Sequence, residues 1–403
     1  MLSIMSVFTR KIVKSIINAN EVRASILREK GLAESVRVAV EEHKFYLVKR
    51  ITAFLQEAEL NDDEFLLIIK DANKIIFNLT KDFVNLVEAL LSLNWKNRSF
   101  EIIEAYTEFW VDIVVAQNIY LPISISKLII HWIPGHLDAS EWVNGSPSEC
   151  TRSELKFTHD LLNRILTAVP MAFDEVMNAI IKLYPYFKKP AHVTAGYLFN
   201  MLCLIEYKPI FEEQILKLAL QKLLVLDVNA PNGKTLDICL FMLFNFLDGK
   251  CRINRSSSNQ ERRAAKSIFK MLLDIFDEIL LPSHDTSHVQ FVIFYATSIR
   301  STYSNAFLDL LWKKIQNADL SAVIRHAAVG YLSSFLARAK FVPLSTVQFY
   351  LKELSKLAHK YIDESDENNL TCSDIANWAF YSICQALFYL ISFRETDLTA
   401  SSK

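Results

Sequence analysis

An all-α fold is predicted by three features of the 403-residue sequence. Glycine and proline, the residues that helices tolerate least, are scarce, with 7 glycines and 10 prolines. Hydrophobic residues make up 51% of the chain, and they recur at helical spacing, as in residues 79–91 and 324–339. The alternation typical of β-strands between turn residues is essentially missing.

Pairs of predicted helices recur about every 40 residues, the spacing of HEAT or armadillo repeats. The helices are expected to end near Asn20, Leu60, Asn97, Leu121, Pro134, Pro170, Pro190, Pro209, Pro231, Asn254, Pro282, Ala318, Pro343 and Asp363. We therefore predict a HEAT-repeat-like α-solenoid, a single continuous superhelix over 1–403. It comprises an N-terminal half 1–133, a loop 134–154, a C-terminal half 155–394 and a short tail 395–403.

The first element is predicted to be an amphipathic helix within residues 1–20. Its basic residues follow its apolar ones, which is the wrong order for a secretory signal. A mitochondrial presequence is the alternative that this pattern leaves open.

Two connections are long and polar, so both are expected to be solvated loops. The loop at 134–154 contains the Ser-Pro pair Ser146 and Pro147. The second, residues 249–266, carries six basic residues against the single acidic residue Glu261. This local charge contrasts with the net charge of −1 for the whole chain, which predicts no general attraction to nucleic acid or to anionic membranes.

Residues 319–341 match the second helix of a HEAT unit, in which small residues follow an early arginine. Arg325 is followed by Ala327 and Ala328, whose small side chains let neighbouring helices approach closely. Asp319 is the expected N-cap of this helix.

Residues 375–393 carry no charge and just reach the length that can span a bilayer. Polar residues interrupt the segment, and other segments are nearly as apolar. A buried central helix is therefore favoured over a membrane span.

Motifs for catalysis and for cofactor binding are weak or missing. No glycines are spaced as in a phosphate-binding loop, and GxSxG does not occur. His284 and His288 have HxxxH spacing, but Asp285 stands where a zinc protease has glutamate, and no third ligand is evident. The six cysteines form no CxxC pair, which is typical of reduced intracellular thiols. We predict no metal or cofactor, and an interaction scaffold in preference to an enzyme.

Three stretches, residues 79–99, 275–298 and 307–344, closely resemble the RNA polymerase I-specific transcription initiation factor family, also called transcription initiation factor IA. Shorter similarities at 215–230 and 380–394 keep the family's order. The resemblance implies a non-enzymatic HEAT-repeat factor that binds RNA polymerase I and bridges it to promoter-bound factors at ribosomal-RNA genes. It also implies control by phosphorylation, a nuclear and nucleolar location with a cytoplasmic pool, and no membrane partner. From the net charge, at most weak direct contact with DNA is expected.

The sequence departs from the family at two places. Members commonly carry a long acidic insertion after the segment that resembles 215–230, whereas residues 227–234 here are expected to form a short turn. Members also continue well past the segment that resembles 380–394, so a fragment, a splice product and a diverged short form are all open. If further helices are absent, self-association through the last helix is expected, by way of Trp378, Phe380, Tyr381, Leu387, Phe388, Tyr389 and Ile391.

Two interaction surfaces are predicted. The polymerase contact is expected at Asn97, Arg98 and Ser99, which follow an apolar stripe and should face outward; capping of the next helix by Asn97 and Ser99 is the alternative. The second surface, for the polymerase or promoter factors, comprises Lys313, Lys314, Arg325, Arg338 and Lys340. The alternatives are a solvated face for Lys313 and Lys314, placement at a helix C-terminus for Arg338 and Lys340, and an internal ion pair for Arg325.

Phosphorylation is predicted at Ser99, Ser146 and Ser258. Ser146 precedes a proline, Ser258 lies three residues after Arg255, and Ser99 adjoins the expected polymerase contact.

Two alternatives to an initiation factor remain open at this level. One is a HEAT-repeat adaptor for another assembly, in transport or ribosome maturation. The other is an all-helical enzyme or membrane protein, which would depend on metal or detergent.

Overall fold

The computed structural model describes residues 31–135, 138–143, 145–229, 233–253, 257–283, 286–367 and 374–400. These residues are helical apart from turns and one two-stranded ladder, so the all-α prediction is confirmed. The chain consists of two compact units, Met1–Phe211 (unit 1) and Glu212–Lys403 (unit 2). The predicted division at residues 133 and 155, and a superhelix that is continuous over both units, stay predictions.

Unit 1 contains helices and short 3₁₀ turns in the described residues. The α-helices are α1 (Gly31–Glu42), α2 (Tyr46–Glu57), α3 (Asp62–Lys74), α4 (Val84–Leu90), α5 (Phe100–Ala116), α6 (Leu121–Ile130), α7 (Glu149–Ala168), α8 (Phe173–Leu183) and α9 (Ala191–Tyr207). The 3₁₀ turns are Ile76–Asn78, Lys81–Phe83, Asn118–Tyr120, Asp138–Glu141, Pro170–Ala172 and Pro209–Phe211.

Alternate helices of unit 1 lie side by side and run in the same direction. Each pair is joined at two successive levels, in the same order along both helices. The contacts are Phe65–Tyr106 and Phe77–Gln117 for α3 and α5, and His159–Asn200 and Thr167–Lys208 for α7 and α9. For α5 and α7 they are Glu104–Arg164 and the pair formed by Trp95, in the turn before α5, with Phe157 on α7. This is the stacking of helix pairs expected of HEAT-like repeats.

The segment predicted as the solvated loop 134–154 is folded instead. Strands β1 (Trp142–Val143) and β2 (Ser146–Pro147) pair antiparallel, and α7 already begins at Glu149. The indole of Trp142 is buried and meets the ring of Phe199 on α9 at 5.7 Å. Burial of this large side chain against α9 stabilises the fold, because it removes apolar surface from water. The solvated-loop prediction is therefore wrong for the centre of this segment.

Gly196 lets this folded connection approach α9. A Cβ atom at residue 196 would lie 2.4 Å from Pro134 Cγ and 3.0 Å from Trp142 Cζ2. The position therefore has room only for a residue without a side chain.

The described residues of unit 2 form helices joined by turns. Its elements are α10 (Glu212–Asn229), α11 (Lys234–Cys251), α12 (Asn259–Ile275), a π-helical turn (Phe276–Leu280), α13 (Phe291–Ser298), α14 (Ser301–Gln316), α15 (Ala322–Arg338), α16 (Leu344–Glu367), α17 (Asp374–Phe393) and α18 (Glu395–Ala400). Four buried phenylalanines from the π-helical turn, α13, α14 and α15 form its core, with neighbouring ring centroids 5.0–6.1 Å apart: Phe276, Phe294, Phe307 and Phe335.

Two sequence-based boundaries in unit 2 need correction. The predicted loop 249–266 is mostly helical, because α11 continues to Cys251 and α12 begins at Asn259. Ser258 caps α12 and forms a capping box with Glu261. Helix α15 is capped by the Ser321 side chain, which accepts from the Ile324 N–H at 3.4 Å, and not by Asp319.

Helix α17 contains the uncharged segment 375–393. It packs on α15 and α16 through the buried residues Ile383, Ala386 and Leu390. Among the described residues no single helix is long and apolar enough to cross a bilayer, and Phe100–Ala116 with Asn118–Ile130 reaches that threshold only as a pair bent by 115°.

Candidate functional site

The turn before α5 presents two of its three predicted contact residues to solvent. Asn97 is exposed and has a left-handed backbone, with φ at +59°. Ser99 is exposed at the N-cap position of α5, although its side chain caps no backbone N–H. Trp95 packs as expected, since its buried ring lies 3.9 Å from that of Phe157.

Arg98 does not face outward, and that prediction is wrong. Its guanidinium donates to Leu60 O at 2.8 Å, to Asn94 O at 2.7 Å and to the Asp62 carboxylate at 2.7 Å. It also lies 4.4 Å from the centroid of the Phe65 ring, and only 13% of the side chain is exposed. Arg98 thus joins the turn to the start of α3, because one planar fork reaches all these groups at once.

The five basic residues of the second predicted surface do not form one cluster. Lys313 and Lys340 are exposed, but Lys314 pairs with Asp277 at 2.7 Å. Arg325 donates to Ile315 O and to the Tyr361 hydroxyl. Arg325 thus makes internal contacts, as the alternative to a binding surface predicted, but these contacts are hydrogen bonds and not an ion pair.

Arg338 lies at the other end of α15 from Arg325. Its guanidinium donates to the Tyr389 hydroxyl at 2.6 Å and to the Ser334 hydroxyl at 2.9 Å. Thirteen residues of helix separate the two arginines by about 20 Å. Lys313 and Lys340 are thus the two exposed members of the predicted surface whose side chains make no internal hydrogen bond or ion pair within the described residues.

All three predicted phosphorylation sites are exposed, each in a different setting. Ser99 precedes α5, Ser146 lies in β2 opposite Val143, and Ser258 caps α12. A phosphate on Ser258 would lie at a helix N-terminus, where backbone N–H groups favour negative charge.

Sequence reasoning missed a row of exposed apolar side chains in unit 1. Each lies in the middle of the 3₁₀ turn that follows α3, α5, α7 or α9. They are Phe77 (80% exposed), Ile119 (50%), Met171 (90%) and Ile210 (72%), and we call them the apolar row. In each turn one neighbour is buried and anchors the turn, while the other neighbour is exposed. The buried neighbours are Ile76, Tyr120, Ala172 and Phe211.

The four turns lie along one edge because the helices that they follow run in the same direction. Gln117 donates from Nε2 to Phe77 O at 3.1 Å, which joins the first two turns. The last two turns are joined by the rings of Phe173, directly after the third turn, and Phe211, within the fourth, which stack at 4.4 Å. With neighbouring helix axes about 8–10 Å apart, the row is about 25–30 Å long. In the sequence, the row is indicated only by apolar residues beside Pro170 and Pro209. The packing of the helices decides which of these apolar residues are exposed and which are buried.

A second apolar stripe lies on α17, as the sequence predicted. Tyr381, Phe388 and Ile391 are exposed on one side of the helix. The short helix α18 follows, held by buried Arg394, and leaves this stripe uncovered. The side chain of Trp378 lies outside the described residues. Self-association through the stripe stays a prediction.

The buried ring of His159 in unit 1 joins two helices through hydrogen bonds. Asn200 donates its amide N–H to Gly196 O at 2.8 Å, so its Oδ1 accepts from His159 Nε2 at 2.9 Å. His159 Nδ1 then accepts from the Tyr207 hydroxyl, also at 2.9 Å. Burial lowers the pKa of His159 below its ordinary value, because the imidazolium would be poorly solvated. The ring is therefore a neutral link between α7 and α9.

Of the HxxxH motif, His288 lies within the described residues, where its ring contacts an aspartate. His288 Nδ1 bonds to Asp227 Oδ1 at 2.9 Å, and Asp227 also accepts from three backbone N–H groups at residues 287–289. Burial acts to raise the pKa of Asp227, but these hydrogen bonds outweigh it and lower the pKa below the ordinary value. No group of three metal-ligating side chains occurs in this part of the chain, and His284 and Asp285 lie outside it.

Comparison with known proteins agrees with the family resemblance found in the sequence. The family model "RNA polymerase I specific transcription initiation factor RRN3" matches residues 25–233 and 229–403. The chain is 29% identical over 404 residues to the mouse RNA polymerase I-specific transcription initiation factor RRN3, covering 86% of this chain and 61% of the relative. It is 22% identical over 380 residues to the Schizosaccharomyces pombe factor rrn3, covering 79% and 60%. The chain thus spans about three fifths of the length of these relatives.

A solved structure shares the fold. The crystal structure of RNA polymerase I transcription initiation factor Rrn3 superposes with a TM-score of 0.73, at 18% identity, over 90% of this chain and 76% of that one. This likeness concerns the all-helical fold.

Proposed function

Because the chain belongs to the RNA polymerase I specific transcription initiation factor RRN3 family, we propose that it binds RNA polymerase I and bridges it to promoter-bound factors at ribosomal-RNA genes. It acts by tethering, without chemistry of its own, and raises the effective concentration of the polymerase at the promoter. Its place of action is the nucleus and nucleolus, with a cytoplasmic pool.

The apolar row of unit 1 carries the proposal, and we assign it to the polymerase. Soluble proteins rarely present apolar side chains along a whole edge unless a partner covers them. The anchored turns fix the backbone of these residues before binding, so little backbone entropy is lost when a partner covers them. Asn97 and Ser99 remain a second proposed contact, at the end of α5 opposite the row.

Lys313 and Lys340 are proposed as contacts with promoter-bound factors, since exposed cations favour acidic partners. Phosphorylation of Ser99, Ser146 and Ser258 is proposed to adjust binding. Ser99 is the site whose added charge would act directly on the turn before α5.

The test is affinity purification from nuclear extract, with RNA polymerase I subunits as the readout. Met171→Asp with Ile210→Asp should lower recovery of the polymerase about tenfold, because two carboxylates would be desolvated in the contact. Ile181→Asp is the matched control, since Ile181 is exposed on α8 away from the row. Ser99→Glu with Asn97→Asp tests the turn separately.

Three results would change the assignment. Loss of polymerase only with the turn variants would move the contact to Asn97 and Ser99. Equal recovery with the row variants and with Ile181→Asp would remove the row from the interface. Failure of the unaltered chain to recover polymerase I, with subunits of another assembly present, would favour the adaptor function.

A further inference from the structure

A basic groove lies between α12 and the first turns of α14 in unit 2. It has a volume of about 950 Å³. Five cationic side chains line it: Arg262, Arg263, Lys266, Lys270 and Arg300. No carboxylate lines it within the described residues.

The charge of this groove is one-sided, because cations line it and carboxylates do not within the described residues. Some other lysines of unit 2 lie beside carboxylates, as in Lys217–Glu278 at 2.5 Å and Lys314–Asp277 at 2.7 Å. On α12 the spacing i, i+4, i+8 places Arg262, Lys266 and Lys270 on one face. Like charges at i, i+4 destabilise a helix, and a bound anion would relieve this repulsion.

The floor of the groove is apolar and firmly packed. The rings of Phe269 and Tyr303 stack with centroids 4.0 Å apart and planes 7° from parallel, and both side chains are buried. Leu273 and Ala306 extend this floor, and the Arg300 guanidinium lies 5.8 Å from the Tyr303 ring centroid.

These features favour a peptide over a nucleic acid. Single-stranded nucleic acids stack their bases on exposed aromatic faces, but Phe269 and Tyr303 stack on one another and are buried. An apolar floor beneath a basic rim instead complements a segment that has both carboxylates and apolar side chains. The rim from Arg262 to Lys270 is about 12 Å long, which is the length of about two helical turns.

We propose that this groove is a docking site for an acidic amphipathic segment of a partner protein. Its carboxylates pair with Lys266, Lys270 and the arginines, and one or two of its apolar side chains cover the floor. The proposal goes beyond polymerase binding by unit 1 and does not require it.

The experiment uses the full chain and a synthetic, fluorescein-labelled peptide of about 14 residues, in which aspartate and glutamate accompany leucine and phenylalanine. Fluorescence anisotropy gives Kd. Lys266→Glu with Lys270→Glu should weaken binding about tenfold or more and flatten its salt dependence. Lys234→Glu with Lys352→Glu makes the same charge change on exposed lysines of α11 and α16, and should leave Kd within about twofold.

Two further measurements keep the result interpretable. A peptide with serine for leucine and phenylalanine should bind more weakly, which tests the floor. If the glutamate variant does not fold, Lys266→Gln with Lys270→Gln removes the same cations without reversing charge. Equal Kd values for the groove variant and its control would overturn the proposal. Tighter binding of a single-stranded oligonucleotide of equal charge would assign the groove to nucleic acid instead.

Discussion

Removal of the Arg98 side chain should destabilise unit 1. The perturbation is Arg98→Ala, with Arg98→Lys as the conservative variant. Alanine leaves Leu60 O and Asn94 O without their shared donor and removes the cation from the Phe65 ring. Lysine keeps the charge but cannot donate to both carbonyls and Asp62 as a planar fork.

The magnitude follows from these contacts. A hydrogen bond to a charged group contributes about 1.5–3 kcal/mol, and the guanidinium makes two to carbonyl oxygens. The ring contact adds about 0.5–1 kcal/mol, whereas the pair with Asp62, which is 59% exposed, adds less than about 1 kcal/mol. Since these contributions overlap, we expect a loss of about 2–4 kcal/mol for alanine and about half of that for lysine.

The assay is urea unfolding followed by tryptophan fluorescence, supported by thermal melting. Trp95 lies three residues from Arg98 and its buried ring stacks on Phe157, so its emission reports on this region. A loss of this size lowers Tm by about 5–15 °C in a unit of about 200 residues. The control is Arg50→Ala, which removes the same charge from the exposed face of α2 and should change stability by less than about 0.5 kcal/mol. If Arg98→Ala has the same Tm as Arg50→Ala, the guanidinium does not join the turn to α3.

Four further outcomes are expected. Gly196→Ala should lower the free energy of unfolding by about 1–3 kcal/mol, because the added Cβ overpacks the contact with Pro134 and Trp142. Gly330→Ala, whose Cβ meets nothing within 4 Å, should raise it by about 0.5–1 kcal/mol, and thermal melting of both variants checks the opposite signs. Because burial lowers the pKa of His159, its contribution to stability should be fully present above about pH 6.5 and should fall as the pH drops below that value. His159→Gln should therefore flatten part of the pH dependence of the urea midpoint below pH 6.5, and an unchanged slope would contradict this. Phe388→Ser should raise the monomer fraction in light scattering if the α17 stripe self-associates, and a wild-type monomer excludes this. Ser258→Asp should weaken peptide binding at the basic groove, since the new charge lies one turn before Arg262; an unchanged Kd in fluorescence anisotropy would contradict this.

The sequence by itself determined the fold class, most helix boundaries and the family. Helical periodicity and the scarcity of glycine and proline are local properties, so they predicted helices wherever packing agreed with them. The breaks expected near Leu60, Pro170 and Pro209 coincide with the ends of described helices for the same reason. Long strings such as 307–344 were specific enough to identify the family that the family model also matches.

Contacts between distant residues were decided only by the tertiary structure. Arg98 and Asp62 are 36 positions apart, and no local pattern indicates that a turn arginine reaches back to the preceding repeat. Trp142 lies in a polar segment, yet it is buried because Gly196, far along the chain, leaves room beside α9. The apolar row likewise exists only because parallel helices bring four turns to one edge. Periodicity shows which side of a helix is apolar, but the register between helices decides which apolar side chains stay uncovered.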